Sequence, residues 1–491
     1  MTALYTVSTG NPIQAADINQ LVNAFGASTI FNVKTQYGGA VDGSTNDGTA
    51  IANAIAAAGA AGGGFVLIPG TSAISAPINL NQYGVILIST GVGGLKPSAS
   101  FSGSQIINIT SDNCGMRDMT IAYANTTYSS NPSADAIGIN GAHNVTLMNV
   151  YTNYINGWSV NCISPSYTAN FWPQFINVHA YQCKAGMHLL GHTNSGFDQG
   201  AALTNCIMDQ IKNGDAYFFE DVHDVTCNGI EGSVTAGSGY TLHIKGASAA
   251  IYINGFDLGP APGPATSATF EIESGSNGTP RQITMNGGII EGGSTGVAIV
   301  AGTQIKIIGA DIYNNGTHGM DISGGDGIII EDCSFFDNGA TIGSTRYDLN
   351  AHTTGNVDIA NCVFSTPHGT ATQQVDNVIN ATAGTVSVHD CIFNGTSFTQ
   401  NLIFNGFPTY VRNNIGYNPV GPITPPSVPA SGVAAGYKAS DFMVYITGGT
   451  VTDISIGGTS TGRTTGSFLV PAQSYIVLTY SVAPTWTWFG N

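Results

Sequence analysis

Length, composition and charge exclude several classes of protein. The chain has 491 residues, of which 8% are charged, 42% are hydrophobic and 65 are glycine, and its formal net charge is −17. Because it holds only 12 lysines and arginines, it offers no basic surface to a nucleic acid. No apolar run approaches the ~20 residues that cross a bilayer, so membrane insertion is not predicted. A surface this poor in charge predicts burial between subunits, as in a homotrimer with head-to-tail interfaces.

Residues 1–30 differ in character from the rest of the chain. The segment Met1–Gly10 lacks a basic stretch followed by an apolar one, so no secretion signal is predicted. Asp17 can cap a short helix that Gly26 ends, with four apolar residues on one face: Ile18, Leu21, Val22 and Phe25. The run NPIQAADINQLVNAF resembles the N-terminal segments of phage tail fibres and tailspikes, which implies attachment of residues 1–30 to a virion.

Residues 31–105 are predicted to begin with an amphipathic helix. Asn46 or Asp47 starts it, Gly59 ends it, and one face carries three apolar residues: Ile51, Ile55 and Ala58. A glycine run then leads into a strand over Phe65–Ile68.

The same region carries a resemblance to a known superfamily. Its residues are Tyr37-Gly-Gly-Ala-Val-Asp42-Gly43, Asp47, Ala50-Ile51, Ala54-Ile55, Gly62-Gly63-Gly64 and Pro69-Gly70. This pattern resembles the opening signature of the pectate-lyase-like β-helix superfamily, which includes phage tailspikes and relatives of polygalacturonase-type glycoside hydrolases. An additional glycine at 38–39 and Gly48 depart from that signature. The resemblance implies an all-β fold, a right-handed parallel β-helix solenoid, in which the helix caps the first turns. It implies nothing about activity.

The predicted body, residues 106–417, contains a short pattern that returns eleven times. Its apolar anchors, 22 to 32 residues apart, are Met116, Leu147, Phe175, Leu203, Cys227, Ile253, Met285, Ile307, Ile330, Ile359 and Val388. Two residues after the anchors stand the corner residues Asp118, Asn149, Asn177, Asn205, Gly229, Gly255, Gly287, Gly309, Asp332, Asn361 and Asp390. Apolar residues prevail at positions −2, +3 and +5, so a left-handed corner at +2 resets the strand alternation. This pattern predicts a parallel β-helix.

Cysteines recur at intervals close to that of the repeat. Seven of the eight do so: Cys162, Cys183, Cys206, Cys227, Cys333, Cys362 and Cys391. Small apolar side chains stacked inside a tube explain this spacing better than disulfides do. None has the CxxC spacing of a zinc site, so no metal site is predicted.

The chain ends in a linker and a small domain. Residues 418–432, NPVGPITPPSVPASG, are predicted to form a semi-rigid linker. Residues 433–491 alternate as four short strands: Phe442–Ile446, Val451–Ile456, Ser467–Val470 and Tyr475–Tyr480. This C-terminal β-domain is similar in type to the C-terminal modules of tailspikes, which implies trimerisation or glycan binding.

Candidate catalytic residues come from position +4, which is predicted to point outward. Glu231, Asp257 and Asp311 then lie in one strip, roughly 5 Å apart on adjacent turns and roughly 10 Å apart across two turns. Carboxylate pairs at about 5–5.5 Å suit retaining glycoside hydrolysis and pairs at about 6.5–9.5 Å suit inverting hydrolysis. The alternatives are solvated acids on an acidic surface, or an Asp311 that pairs with Lys306.

Further candidates lie outside this strip. Glu220 and Asp221 are alternate catalytic residues, whereas Asp224 is predicted to form a turn. Four side chains are candidates for glycan contact, because pyranose rings pack on aromatic faces: Trp158, Trp172, Tyr154 and His179. The stretch also holds Tyr167 and Phe171.

The motifs of related enzymes are missing. The sequence has no NTDG, DD pair, GHG or RIK motif and no clustered acids with an arginine base. It also has no HExxH motif and no phosphate loop, and no cofactor is predicted. The chain resembles a phage tailspike that sits on the virion and binds and hydrolyses a bacterial surface polysaccharide at the host cell. A non-catalytic glycan-binding fibre and a free polysaccharide lyase or hydrolase are the alternatives.

Overall fold

The computed structural model describes residues 30–491 apart from residues 92, 165–171, 192–199, 236–238, 261–267, 340–346, 366–376, 382–383, 395–401, 405–409, 416–420, 424, 437–440, 472–473 and 491. The predicted virion-attachment segment therefore lies outside the described residues, Ile30 excepted. The fold is mostly β, 60% strand and 6% helix, and it is a parallel β-solenoid of about 11 turns. The chain divides into two compact units, residues 1–239 and 240–491.

The predicted capping helix is present. It spans Gly48–Ala60, and it buries four residues: Ile51, Ala54, Ile55 and Ala58. Asp47 occupies the N-cap, but its carboxylate accepts hydrogen bonds from the backbone N–H groups of Ala40 (2.7 Å) and Val41 (2.9 Å) instead of those of the helix. The signature around Asp47 thus has a structural role. A shorter helix, Val33–Tyr37, and a 3₁₀ turn, Tyr128–Ser130, were not predicted.

In the first unit, parallel strands form two sheets. The first sheet contains Ile30–Asn32, Asp42–Asn46, Gly64–Ile68, Thr71–Ile74, Val85–Ser89, Gly94–Pro97, Gly115–Ala122, Thr146–Asn153, Gln174–Tyr181, Ala201–Ile211 and His223–Val234. The second sheet contains Ile78–Leu80, Gln105–Ile109, Asp135–Asn140, Trp158–Ile163, Ala185–Leu190 and Tyr217–Glu220.

The second unit repeats this arrangement. Its strands of the first sheet are Ala249–Pro260, Arg281–Glu291, Thr303–Tyr313, Ile328–Glu331, Ser334–Phe336, Asn356–Ala360, Val363–Ser365, Thr385–His389, Ile392–Asn394 and Tyr410–Arg412. Its strands of the second sheet are Leu242–Lys245, Phe270–Glu273, Thr295–Ile299, His318–Ile322, Tyr347–Ala351, Asn377–Ala381 and Leu402–Phe404. The predicted right-handed parallel β-helix is confirmed. None of the helices in the described part of the chain has the length and hydropathy needed to span a bilayer.

All eleven predicted corner residues have left-handed backbones, with φ between 51° and 67°. The apolar positions on either side of the corners are buried, and Phe335, Phe364 and Phe393 stack at ring separations of 4.9 and 5.1 Å. These separations equal the strand spacing of a sheet, so the interior is built of like side chains in register. All eight cysteines are buried and free, as predicted for seven of them.

Two further sets of left-handed corners were not recognised as sets in the sequence. One lies three residues before an anchor, at Asn113, Asn144, Asp224, Ala250, Gln282, Gln304 and Gly327. The other lies seven residues after an anchor, at Tyr154, Gln182, Gln210, Asn314 and Asp337. The turn predicted for Asp224 is therefore confirmed.

The interior of the second unit also holds a polar network. Asn315, Asn338 and Asp348 are fully buried. The Asn338 amide donates to Asp348 Oδ1 (2.9 Å) and accepts from the Asn315 amide (2.9 Å). Burial raises the pKa of Asp348 to about 7, although the hydrogen bond from Asn338 opposes this shift. Among the described residues, Asp348 Oδ2 has no hydrogen-bond partner.

The C-terminal β-domain consists of two antiparallel sheets, and the four predicted strands are confirmed within two residues. One sheet contains Gly421–Ile423, Phe442–Thr447, Gly466–Val470 and Thr485–Gly490; the other contains Ala434–Gly436, Thr450–Ile456, Thr459–Ser460 and Tyr475–Val482. The proline-rich segment leaves its carbonyls available as acceptors. Pro426 O accepts from Trp486 Nε1 (2.9 Å) and Pro429 O accepts from the Tyr480 hydroxyl (2.6 Å). The described part of the predicted linker is thus hydrogen-bonded to this domain.

Candidate functional site

A groove of about 650 Å³ follows the outer face of the first sheet in the first unit. We call it the asparagine groove; its lining is Gly91, Asp118, Met119, Thr120, Asn149, Tyr151, Asn153 and Asn177. Three of these are corner residues joined by their side chains: Asn149 donates to Asp118 (2.7 Å) and Asn177 donates to Asn149 (2.9 Å). Because the corners fix these amides in a row, the groove presents a ladder of hydrogen-bonding groups.

The asparagine groove combines an aromatic surface with unpaired polar side chains. Tyr151 is 39% exposed. Within the described part of the chain, the side chains of Thr120 and Asn153 make no hydrogen bond. A sugar binds to such a combination of groups. Its hydroxyls form hydrogen bonds with the protein hydroxyl and amide groups, and its CH face packs on the exposed ring.

His179 supports the tyrosine of this groove. The two rings meet edge to face at 5.8 Å. Burial lowers the pKa of His179 below its ordinary value, against the opposing effect of Asp209 and Glu231, so the ring is neutral at pH 7. Its Nε2 is buried without a hydrogen-bond partner among the described residues. This geometry suits a side chain that positions Tyr151 more than one that contacts a ligand.

The predicted acidic strip points outward, as position +4 required. In the first unit, strand register aligns Tyr151, His179, Ile207 and Glu231, and Glu231 is exposed. In the second unit, register aligns Asp257 with Ile289 and Ile289 with Asp311, and both aspartates are exposed. Asp257 and Asp311 therefore stand two strands apart, roughly 10 Å between backbones. Lys306 pairs with Glu331 (3.2 Å), so the alternative pairing with Asp311 is not formed.

Two residues beside the aspartates were missed by the sequence reasoning. Glu291 and Tyr313 are register partners two residues beyond the strip, at position +6. Burial raises the pKa of Tyr313 to about 12, with further contributions from the neighbouring Glu291 carboxylate and from the charges of Asp257 and Asp311. We call Asp257, Glu291, Asp311 and Tyr313 the acidic patch. The period-two alternation that places position +4 on the outer face places position +6 there as well, so it could have identified both residues.

Space for the patch comes from a glycine, and an aromatic ring covers one side. A Cβ at Gly259 would lie 3.1 Å from the Glu291 side chain, so glycine at this position leaves room for the carboxylate. Phe336 stacks on Tyr313 at 4.6 Å with an interplanar angle of 7°. The phenol is thereby held beside the carboxylates, and it keeps its proton at physiological pH.

The outer face of the second sheet carries a separate aromatic stack in the first unit. Trp158, His188 and Phe218 stack with ring separations of 5.0 Å and 4.8 Å. Burial lowers the pKa of His188 to about 4, although Asp215 opposes the shift. Glu220 Oε2 lies 3.6 Å from His188 Nε2. The structure thus brings together Trp158 and Glu220, which were predicted separately, with a histidine that was not.

The remaining sequence-derived candidates occupy distinct positions. Asp221 is 3% exposed and has a left-handed backbone (φ 55°), which argues against contact with a polymer. Tyr154 is a corner residue whose ring meets Tyr181 edge to face at 6.1 Å. Trp172 is 41% exposed and packs on Gly200, where a Cβ would lie 2.2 Å from the indole. Tyr167 and Phe171 lie outside the described residues.

One cluster has the composition of a metal site. Ligand atoms of His243, Glu271 and Glu273 lie within 4.8 Å of one another. The Lys245 ammonium already contacts Glu273 (2.7 Å). Burial acts to raise the pKa of the Glu273 carboxyl, but Lys245 and His243 outweigh it and hold that pKa below its usual range. Because Lys245 supplies the positive charge, no metal is assigned to this cluster.

Comparison with known proteins identifies the fold. The chain matches no protein-family model and no curated protein. The structure is similar to that of the A-module of the mannuronan C-5 epimerase AlgE6 of Azotobacter vinelandii, with a TM-score of 0.53, 16% identity, and coverage of 78% of this chain and 98% of the module. The AlgE4 A-module of the same organism gives a TM-score of 0.52 and 15% identity over 78% of this chain and all of that one.

A phage protein matches along the whole length. The Dettilon tailspike protein covers 100% of this chain and 98% of its own, with a TM-score of 0.50 and 13% identity. The chain therefore has the fold of a parallel β-helix tailspike. Identities this low establish the shared fold alone.

Proposed function

We propose that the chain is a tailspike-like receptor-binding protein that binds and hydrolyses a bacterial surface polysaccharide. The observation that carries this proposal is the asparagine groove, in which a ladder of amides and an exposed tyrosine line about 650 Å³ of open space. Its lining suits a hydroxyl-rich polymer, because each sugar offers both hydrogen-bonding groups and an apolar face. The tailspike similarity over the full chain supports the same assignment.

Asp257 and Asp311 are the proposed catalytic pair. One protonates the glycosidic oxygen as general acid and the other activates a water as general base. The carboxyl groups of inverting enzymes are ~6.5–9.5 Å apart and those of retaining enzymes ~5–5.5 Å. Side chains on backbones roughly 10 Å apart, two strands along the sheet, can span the distance of an inverting pair. Tyr313 is proposed as a positioning residue for Glu291, its register partner on the neighbouring strand. Trp158 and Trp172 are proposed as further glycan contacts.

Hydrolysis has one specific competitor, glycan binding without cleavage. Both aspartates are exposed, and within the described part of the chain no hydrogen bond fixes either carboxylate. A binding fibre needs no fixed acid and base, whereas a hydrolase does. The homotrimer, the attachment of residues 1–30 to a phage tail, the location on a virion and the domain boundaries 1–30, 31–105, 106–417, 418–432 and 433–491 belong to this proposal as well.

Substitution of the two aspartates tests the proposal. The purified protein is incubated with a panel of bacterial capsule and O-antigen polysaccharides, and new reducing ends are measured. We expect Asp257→Asn and Asp311→Asn each to lower the rate at least about 100-fold, the typical contribution of a general acid or base. Asp321→Asn, the same change on the outer face of the other sheet, is the control and keeps the wild-type rate. Wild-type rates in both aspartate variants would remove the catalytic assignment, and binding without cleavage by the native protein would establish the competitor.

A further inference from the structure

The charge of the acidic patch restricts the class of polysaccharide that the site accepts. Three carboxyl groups, of Asp257, Glu291 and Asp311, lie in two adjacent rows on one sheet face. Only 12 of the 491 residues are lysine or arginine. The question is therefore whether any cation stands close enough to receive an anionic sugar.

Two cations of the first sheet in the second unit, Arg281 and Lys306, have described side chains, and they are distant or already paired. Lys306 lies five residues before Asp311 along its strand, and its ammonium is held by Glu331 at 3.2 Å. Arg281 is the first residue of its strand, and Ile289, which stands between the two aspartates, follows eight residues later. The backbones of Arg281 and Ile289 are therefore roughly 20 Å or more apart. Charges farther apart than about 8–10 Å are largely screened at physiological salt. Neither cation can balance an anionic group bound at the patch.

The asparagine groove is no better suited to an anion. Its lining contains one charged side chain, Asp118, and Arg117 is engaged with that carboxylate at 3.9 Å. Lys96 lies beyond it, in a smaller groove of about 200 Å³. The groove therefore offers neutral amides, hydroxyls and one ring to its ligand.

The chemistry of hydrolysis and of elimination, the two ways to break a glycosidic bond, also favours an uncharged substrate. Glycoside hydrolysis passes through an oxocarbenium-like state with positive charge on the sugar, which carboxylates stabilise. Elimination from a uronic acid develops negative charge next to the sugar carboxylate, which needs a cation or several hydrogen-bond donors. The acidic patch supplies the first environment and not the second.

We infer that the polysaccharide cleaved here is a polymer of uncharged sugars, and not a polyuronate, a polysialic acid or a phosphorylated glycan. This inference rests on the proposed function and narrows it to one substrate class. A carboxylate or phosphate on the bound sugar would face the three acids of the patch, and no described side chain supplies a compensating positive charge there. N-acetylated and deoxy sugars are within the class because they carry no charge at neutral pH.

The test measures binding to arrayed bacterial polysaccharides that are sorted by charge. It uses the native protein and the inactivated double variant Asp257→Asn/Asp311→Asn. Every glycan bound by the native protein is expected to be uncharged, with a Kd that changes less than about twofold between 50 and 500 mM NaCl. Acidic glycans are expected to bind at least about 10-fold more weakly, in EDTA and in CaCl₂ alike. The double variant, which cannot cleave, should bind the same uncharged glycans.

Three results contradict these expectations. An acidic glycan bound as tightly as any uncharged one overturns the inference while the proposed function survives. Acidic-glycan binding that appears only with Ca²⁺ overturns it as well, because a bridging cation would then supply the missing charge. Binding of no glycan at all removes the proposed function itself, and the inference with it.

Discussion

The buried carboxyl of Asp348 makes stability depend on pH in an unusual direction. Its pKa is raised by burial from 3.8 to about 7. Between these values the native state keeps the proton that the unfolded chain has released, so the free energy of unfolding falls as pH rises. Over about 3.2 pKa units at 1.36 kcal/mol each, the loss reaches roughly 4 kcal/mol and is complete above pH 7.

Asp348→Asn removes this pH dependence without removing the buried hydrogen bond. The substituted side chain keeps an oxygen for the Asn338 amide, which donates at 2.9 Å, and it cannot ionise. Unfolding of 491 residues carries an entropy of about 1 kcal/mol/K, so roughly 4 kcal/mol corresponds to a Tm difference of about 4 °C. Between pH 4.5 and pH 8 about 2.5 of these pKa units are crossed, so we expect the variant to gain about 3 °C relative to the native protein.

Scanning fluorimetry across that pH range measures the difference directly. Asp311→Asn, the same substitution at an exposed site, is the matched control and should shift Tm by less than about 1 °C at every pH. If the Tm difference between Asp348→Asn and the native protein stays constant from pH 4.5 to pH 8, the raised pKa is refuted.

Two further predictions concern the corners and the groove. Gly287 is a corner with φ 63°, and a Cβ added there would meet no atom within 4 Å, so Gly287→Asn should change the free energy of unfolding by less than about 0.5 kcal/mol. Gly287→Val should cost at least about 1–2 kcal/mol, and equal costs for the two variants in chemical denaturation would contradict the left-handed corner. Tyr151→Ala should weaken glycan binding roughly 10-fold, since stacking contributes on the order of 1 kcal/mol beyond the buried area. Tyr83→Ala, at a tyrosine that is 62% exposed and outside the groove lining, is its control in a calorimetric titration, and equal Kd values for both would exclude Tyr151 from the site.

The solenoid could be predicted because its corners favour particular residue types. Asparagine, aspartate and glycine tolerate a left-handed backbone best, so a corner such as Asn149 or Gly255 stands out against an apolar repeat. Ala250 and Gln282 adopt the same backbone conformation without belonging to those residue types. Local preference marks only part of their set, which also contains Asn144 and Asp224. At Ala250 and Gln282 the stacking of neighbouring strands imposes the conformation instead.

The site could be predicted only in part, for a related reason. Period-two alternation placed Asp257 and Asp311 on the outer face, since it depends on one strand at a time. The pairing of Glu291 with Tyr313 depends on the register between strands of neighbouring turns. Turn length varies from 22 to 32 residues in the sequence, so side chains that meet across turns are not at a fixed spacing.

The central claim is that this β-helix hydrolyses an uncharged bacterial polysaccharide, and the products of the reaction test it most directly. Proton NMR of the native protein with a polysaccharide that it binds should show new hemiacetal signals, the first of them from the anomer opposite to the cleaved linkage. Olefinic signals of an unsaturated sugar, or no product from a polysaccharide that is firmly bound, would contradict the account.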